Sequence, residues 1–231
     1  MAYLLRRHVY VRALDRGVIW LDLRSDRYYG QPYANLRGLS RLVPGWPPPP
    51  DEQAGGSQEE GQAVAEGLTR LGLLTSDGNG KSVEPLSLPF PELGTPHEDL
   101  HVVVRWHHLL CFIISYFLVY VANRRSFEHV VAGILSRKRK KAAAPACSSG
   151  PVTYLTAVFH KIRPYVYTSK DNCLFDSEML VRFLAWYRVF PTFVIGVQEQ
   201  PFVAHCFVQS GSRVLNDELS HARRFRPILA I

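Results

Sequence analysis

The stretch CLFDSEMLVRFL (173–184), followed by FVIGVQEQPFVAHCFVQSGSRVLND (193–217), decides the fold of the second half of the chain. Apolar residues in the first segment recur at helical spacing. The second segment contains three strand-forming runs, separated by the turn sequences QEQP and SGS. A helix followed by successive strands predicts an α+β domain in which helices pack on an antiparallel sheet.

The position of Cys173 at the start of the predicted helix indicates chemistry. Asn172 is a good N-cap residue, and Asp176 and Glu178 follow in the first turns, where the helix dipole favours acids. A thiol at this position faces unpaired backbone N–H groups and the positive end of the dipole, which lower its pKa. The same N–H groups can hold the oxyanion that forms when a thiolate attacks a carbonyl. We therefore predict that Cys173 is a nucleophile.

A histidine and an acid follow along the predicted strands. His205 lies in the middle of one strand, and Asp217 lies at the end of the next. A three-residue loop with Gly211 in the left-handed conformation places His205 opposite Asp217, whereas we expect Asn216 there if the loop has two residues. Either side chain can orient the imidazole toward the thiol of Cys173, as in a Cys–His–Asp or Cys–His–Asn triad. We favour Asp217.

Residues 165–218 resemble the B protein of lasso peptide biosynthesis, a family with a transglutaminase-like peptidase domain. The resemblance lies in the Cys-Leu start of the helix, the IGV-x-x-x-PF run, the histidine-containing strand and the final Asn-Asp, in that order. It implies a transglutaminase/papain-like fold with Cys173 as nucleophile, His205 as general base and acid, and Asp217 as the residue that orients the histidine. We expect neither a metal nor a cofactor.

The resemblance also implies a substrate and a partner. The substrate is a ribosomally made precursor peptide, from which the enzyme cuts the leader. The partner is the family's asparagine-synthetase-like cyclase, which closes the freed core peptide into a macrolactam.

The first part of the chain has a separate pattern. Strand-like runs at 9–13 and 18–23, a third run from Arg27, a helix at 33–43 and an amphipathic helix at 63–74 predict a small winged-helix domain over 1–82. The stretch 44–61 is rich in Pro and Gly and is expected to be irregular. We expect a linker over 83–100 and the second domain over 101–231.

The run GVIWLDLRSDRYYG (17–30) resembles the strands of the winged-helix leader-recognition elements in ribosomal-peptide pathways. By that resemblance the leader adds a strand beside Tyr28 and Tyr29 and packs on the amphipathic helix, where Leu68 and Leu71 lie. In this mode of binding, backbone hydrogen bonds provide affinity and side-chain pockets provide specificity.

The net charge of +7 does not indicate a nucleic-acid partner, because of where the charge lies. Residues 1–82 hold ten Lys/Arg and nine Asp/Glu, and five of the other cations form the run RKRKK at 137–141. A DNA-binding domain usually spreads its basic residues over a docking face. We interpret the run as a solvated loop, with a dock for an acidic partner or a membrane surface as the alternative.

The sequence also indicates the cellular compartment in which the protein works. The start MAYLLRRHVY places arginines where a signal peptide needs an apolar core. The uncharged run 109–122 is shorter than the roughly twenty residues of a spanning helix, so we interpret it as a buried helix, with no membrane insertion. Four cysteines are too few for a disulfide framework, and Cys111 and Cys147 are interpreted as packing residues. We expect a protein of the reducing cytoplasm.

Three alternatives stay open. A transglutaminase or acyltransferase uses the same triad but passes the acyl group to an amine. A zinc site made of Cys173, His205, Cys206 and Asp217 requires Cys206 on the face of the histidine, and strand alternation opposes this. A winged-helix nucleic-acid-binding module with an inactive second domain is opposed by the near-neutral first domain.

Overall fold

The computed structural model describes residues 2–47, 56–95, 101–141, 149–168 and 172–231. The chain divides into two compact units, Met1–Ser87 and Leu88–Ile231. Cys147 lies outside the described residues. Within the described part of the chain, no helix is both long enough and apolar enough to cross a bilayer.

The first unit is built on short antiparallel strands. They are β1 (Leu4–Leu5), β2 (Val9–Ala13), β3 (Gly17–Asp22), β4 (Arg27–Pro32) and β5 (Leu74–Thr75). One sheet has the order β2-β3-β4, and β1 pairs separately with β5. β3 is buried along its length, whereas β4 is an edge strand that is partly exposed. The three strands expected between residues 9 and 32 are confirmed.

Among the described residues of the first unit, one α-helix forms, α1 (Gln58–Arg70), which begins before residue 63, its expected start. The hydroxyl of Ser57 accepts a hydrogen bond from the N–H of Glu60, at 3.1 Å. The Glu60 carboxylate accepts one from the N–H of Ser57, at 2.8 Å. This capping box starts the helix inside the stretch 44–61, so the expectation that the whole stretch is irregular was wrong.

Two short 3-10 helices, Tyr33–Leu36 and Leu39–Arg41, stand where one helix was expected at 33–43. Gly38 separates them with a φ of 75°, which a side chain would disfavour. A Cβ on Gly61 of α1 would come within 2.7 Å of the Gly38 carbonyl oxygen, so both glycines permit this close packing. The winged-helix assignment itself stays a prediction.

The second unit has one helix at its centre. Its helices are α2 (Trp106–Ala122), α3 (Phe127–Lys141), α4 (Ser149–Ile162), α5 (Cys173–Trp186) and the short α6 (Leu219–Ala222). The helices α2, α3 and α4 all pack against α5. Met179, Leu180, Phe183 and Leu184 of α5 have no exposed surface. Their burial holds the N-terminus of α5 in a fixed position.

The sheet of the second unit is antiparallel. Its strands are β6 (Thr192–Gln198), β7 (Val203–Ser210), β8 (Arg213–Val214) and β9 (Arg226–Ala230). Their order is β8-β7-β6-β9, so β6 and β7 are interior strands, and α5 packs on β7. The strand β9 was not predicted from the sequence. Helices packed on an antiparallel sheet are confirmed, and the fold is α+β.

The helix α2 is not buried in the way that its composition suggested. Its face with His108, Phe112, Ser115 and Val119 is buried, but most of its other apolar side chains are exposed. Composition predicted burial of the whole helix, whereas in the described part of the chain the neighbouring helices cover one side of it.

The basic run 137–141 is not a solvated loop, because it forms the end of α3. Arg137 is half-buried, and burial lowers its pKa to about 10, although Glu178 of α5 opposes this effect. At least one cation of the run therefore lies between α3 and α5 and interacts with a carboxylate there.

Part of the segment expected to be a linker packs on the second unit. The N–H of Glu92 donates to the Ser212 carbonyl at 2.8 Å, and Leu93 forms a parallel bridge with Arg213. The hydroxyl of Thr95 donates to the carbonyl of Asp217 at 2.7 Å. Residues 96–100 lie outside the described chain.

Candidate active site

Cys173 is the first residue of α5. Asn172 occupies the N-cap position, but its side chain makes no capping hydrogen bond, and its carbonyl accepts from the N–H of Asp176 at 2.9 Å. The N–H groups of the first turn and the positive end of the helix dipole therefore lie beside the thiol. Cys173 is half-buried, which shields it from bulk water without closing it off.

The interior strand β7 places His205 beside Cys173. The Nε2 atom of His205 lies 2.9 Å from Oδ2 of Asp217, and the ring also hydrogen-bonds to Cys173. Since Nε2 is engaged with Asp217, Nδ1 is the nitrogen that remains for the sulfur. The Phe225 ring packs on the imidazole with the centroids 5.0 Å apart, which restricts its rotation. The structure thus brings together the three residues that the sequence singled out.

Hydrogen bonds determine the charge of this cluster. The side chain of Cys206 lowers the pKa of Cys173; burial raises it, and His205 lowers it further, to about 4. Burial lowers the pKa of His205, but Asp217 and Cys173 outweigh it and raise the pKa to about 9. Between about pH 4 and pH 9 the resting site is therefore a thiolate beside an imidazolium.

The carboxyl group of Asp217 is held in its charged form. Burial raises its pKa, but hydrogen bonds from His205 and His221 lower it by more, so that it ends below its ordinary value. The backbone N–H of Glu218 also donates to Oδ1 of Asp217, at 2.8 Å. A charged carboxylate at this place stabilises the imidazolium.

The loop between β7 and β8 has two residues, because Ser210 pairs with Arg213. The three-residue loop was therefore wrong. The expectation of Asn216 for a two-residue loop was also wrong, because this register puts residue 218 across from His205, and Asp217 is the residue that reaches it. The ladder ends at Val214, so the strand register does not govern the residues beyond it. Gly211 has a φ of 58°, the left-handed conformation expected for it.

Asn216 joins β7 to α5. Its Oδ1 accepts from the N–H of Val208 at 2.8 Å, and its Nδ2 donates to Oδ2 of Asp176 at 2.9 Å and to Oγ of Ser177 at 3.0 Å. Asp176 is 2% exposed and forms an ion pair with Arg163 at 3.2 Å. This buried network fixes the backbone one residue before Asp217, so Asn216 positions the acid.

Cys206 does not point away from the site, as strand alternation suggested. Its side chain and its backbone both hydrogen-bond to Cys173. The strand β8 pairs with β7 only at Gln209 and Ser210, so in the described structure no strand covers the edge of β7 at Cys206. The thiol of Cys173 lies against that open edge. It can therefore contact both the backbone and the side chain of Cys206, whichever face of the sheet the side chain takes.

His221 is a further residue of the site that was not predicted from the sequence. Its Nδ1 lies 2.9 Å from Oδ2 and 3.1 Å from Oδ1 of Asp217, and its ring centroid is 4.7 Å from that of His205. The signal was the i,i+4 spacing between Asp217 and His221, but nothing local marked 219–222 as a helix. His205, Asp217 and His221 each offer a ligand atom within 4.8 Å of the others, so this cluster could hold a metal ion.

The residues predicted to bind the leader lie in the first unit. Tyr28 and Tyr29 lie on the edge strand β4 and are half-buried. Leu71 is 52% exposed, whereas Leu68 is 2% exposed and belongs to the core of the unit. The selection of Leu68 is corrected, because a peptide cannot reach a side chain that its own core covers.

A helix that begins at a cysteine, beside a strand that carries a histidine held by an acid, can carry out acyl transfer. A family model described as the transglutaminase-like superfamily matches residues 114–230, half of the chain. Neither the search of curated proteins nor that of solved structures gave a match. The matched region spans α5, β6, β7 and β9, and it includes Cys173, His205 and Asp217. The chain therefore belongs to the transglutaminase-like superfamily.

Proposed function

We propose that this chain is a cysteine peptidase that removes the leader of a ribosomally made precursor peptide in lasso peptide maturation. In this proposal Cys173 is the nucleophile, His205 the general base and acid, and Asp217 the residue that orients the imidazole. The observation that carries it is geometric: Cys173 at the start of α5 hydrogen-bonds to His205, and Asp217 lies 2.9 Å from the other side of the imidazole, at Nε2.

The chemistry proceeds in two steps. The thiolate of Cys173 attacks the carbonyl carbon of the scissile peptide bond, and first-turn N–H groups of α5 stabilise the oxyanion. His205 gives its proton to the leaving amine, so that the core peptide departs with a free amino terminus and the leader stays as a thioester. His205 then takes a proton from water, the hydroxide attacks the thioester, and the leader is released with a free carboxylate.

The first unit would supply binding. Because β4 is an edge strand, its outer side can accept the leader as an added strand, near Tyr28 and Tyr29. The exposed Leu71 follows the end of α1 and offers an apolar contact. A bound leader tethers the cut site and raises its effective concentration at Cys173.

The pathway context belongs to the same proposal. The freed amine of the core peptide would pass to an asparagine-synthetase-like cyclase, which closes the macrolactam. The reaction would take place in the reducing cytoplasm, where a low-pKa thiol such as that of Cys173 stays reduced.

Mass spectrometry of the precursor peptide encoded nearest to this protein tests the proposal. The wild-type protein should release the leader and leave a core with a free amine, whereas Cys173→Ala and His205→Ala should not. Cys111→Ala is the matched control, because Cys111 lies on α2 and takes no part in the proposed reaction. Release of the leader by Cys173→Ala at the wild-type rate would contradict the assignment of the nucleophile.

A second candidate function is acyl transfer to an amine, which the family match supports equally. The same thioester would form on Cys173, and an amine would replace water in the second step. Incubation with a dansylated primary amine distinguishes the two functions. If the leader is released as an amide of the dansylated amine, the protein is an acyltransferase. If the leader is released with a free carboxylate, the protein is a peptidase.

A further inference from the structure

One side of α2 is a continuous exposed apolar surface. Six side chains form it, and we call it the outer stripe; each is at least 45% exposed. They are Trp106, Leu110, Ile113, Phe117, Tyr120 and Val121. Their spacing of three, four and seven residues places them on a single face of the helix.

The outer stripe is not the face that holds the fold together. The buried residues of α2 are His108, Phe112, Ser115 and Val119, which lie on the opposite side of the helix. Helices that are apolar on all sides are normally covered on all sides, and an exposed patch of this kind marks a protein or membrane contact. We therefore expect the outer stripe to contact another surface, which the described residues do not provide.

The charges around the outer stripe indicate which kind of surface it binds. The helix α2 contains no acidic residue, and exposed arginines flank it, Arg105 before its start and Arg124 and Arg125 after its end. Arg124 lies at the end of the stripe itself: its Nη2 donates to the Tyr120 hydroxyl at 2.6 Å, and its guanidinium lies 4.7 Å above that ring. An acidic covering surface complements this pattern.

A second copy of the chain fits less well. Two α2 helices packed through their stripes would bring arginine ends together in either direction, with no carboxylate in α2 to balance them. A protein interface also needs about one hydrogen bond per 100–200 Å². In the outer stripe the Tyr120 hydroxyl is one of only two polar side-chain groups, with the indole N–H of Trp106, and Arg124 already engages it.

We propose that the outer stripe of α2 binds the surface of an anionic lipid bilayer and lies parallel to it. The apolar side chains would enter the boundary between headgroups and acyl chains, and Arg105, Arg124 and Arg125 would contact lipid phosphates. With 17 residues, α2 is roughly 25 Å long, so it lies on the membrane and does not cross it. Proteolysis would then take place next to the membrane surface.

Sedimentation of the full-length protein with lipid vesicles tests this. We expect the wild type to pellet with vesicles of equal parts phosphatidylcholine and phosphatidylglycerol. Phe117→Ser should lower the partition coefficient about tenfold, because it removes one inserted aromatic side chain. Each of Arg124→Gln and Arg125→Gln should lower it about fivefold, and pure phosphatidylcholine should bind more weakly. Phe202→Ser is the matched control, since Phe202 is 50% exposed on a turn of the sheet and should leave binding unchanged.

The outcomes separate this proposal from its rivals without any measurement of catalysis. A wild-type protein that stays in the supernatant with anionic vesicles overturns it. A wild-type dimer that Phe117→Ser converts to a monomer, measured by light scattering, would assign the outer stripe to a second copy instead. Equal binding of Phe117→Ser and Phe202→Ser would show that the outer stripe does not touch lipid.

Discussion

Replacement of His205 by alanine should move the pH at which Cys173 becomes reactive. In the wild type the pKa of Cys173 is about 4, so about 99% of the thiol is ionised at pH 6. His205 contributes a hydrogen bond and a positive charge to that low pKa. An opposite charge at contact distance changes a pKa by about one to three. The midpoint of the reactivity profile should therefore rise by about one to three pH units in His205→Ala.

The midpoint, and not the rate at one pH, is the quantity to measure. A thiolate of higher pKa is intrinsically more nucleophilic, with a Brønsted coefficient of about 0.4–0.5. A rise of three pH units in the midpoint makes the remaining thiolate roughly twentyfold more reactive, while at pH 6 it leaves only about a tenth of the thiol ionised. The two effects nearly cancel in a single rate.

The assay is alkylation by iodoacetamide, followed at the Cys173 peptide by mass spectrometry across a series of pH values. The wild-type rate should be nearly constant from about pH 5 to pH 8, because ionisation is complete above the pKa of about 4. His129→Ala is the matched control, since His129 is exposed on α3 and bonds to Ser126. A wild-type rate that rises tenfold per pH unit between pH 6 and pH 8 would refute the thiolate–imidazolium pair. An unchanged midpoint in His205→Ala would refute the role of the histidine.

Further mutations test the acid, its second partner and the first unit. Asp217→Asn should lower kcat by about 10²–10⁴-fold, because an amide cannot stabilise the imidazolium; the same loss in Asn216→Ala at an unchanged Tm would make Asn216 the triad member instead. His221→Ala should lower kcat about tenfold, since Asp217 loses a hydrogen bond that orients its carboxylate, and wild-type kcat would show that this contact is unimportant. Leu68→Ala should destabilise the protein by about 2–5 kcal/mol in urea, and Leu71→Ser should instead weaken leader binding measured by fluorescence anisotropy; equal stability losses would contradict the difference in burial.

The pH dependence of peptide cleavage follows from the same pair of groups. Activity should rise as pH increases through about 4, where Cys173 ionises, and fall as pH increases through about 9, where His205 loses its proton. Above that pH the imidazole cannot protonate the leaving amine.

Local sequence patterns identified the elements that carry the candidate site. The apolar spacing after Cys173 located α5, and the alternating runs around His205 located β6 and β7. These predictions succeeded because the rules behind them act over a few neighbouring residues. The start of α1 was not predicted, because the prediction of this helix rested on apolar periodicity, and the capping box of Ser57 and Glu60 is polar.

By itself, the sequence determined that a thiol begins a buried helix and that a histidine follows on a strand. Only the tertiary structure decided which acid meets the histidine, because Asp217 lies beyond the strand ladder and Asn216 is drawn into a buried network with Asp176. It also decided that Cys206 reaches the nucleophile and that His221 joins the acid. Spacing along the chain predicts which face a side chain takes within one element. Whether side chains from separate elements meet depends on where each element ends and how it packs, and local spacing does not determine either.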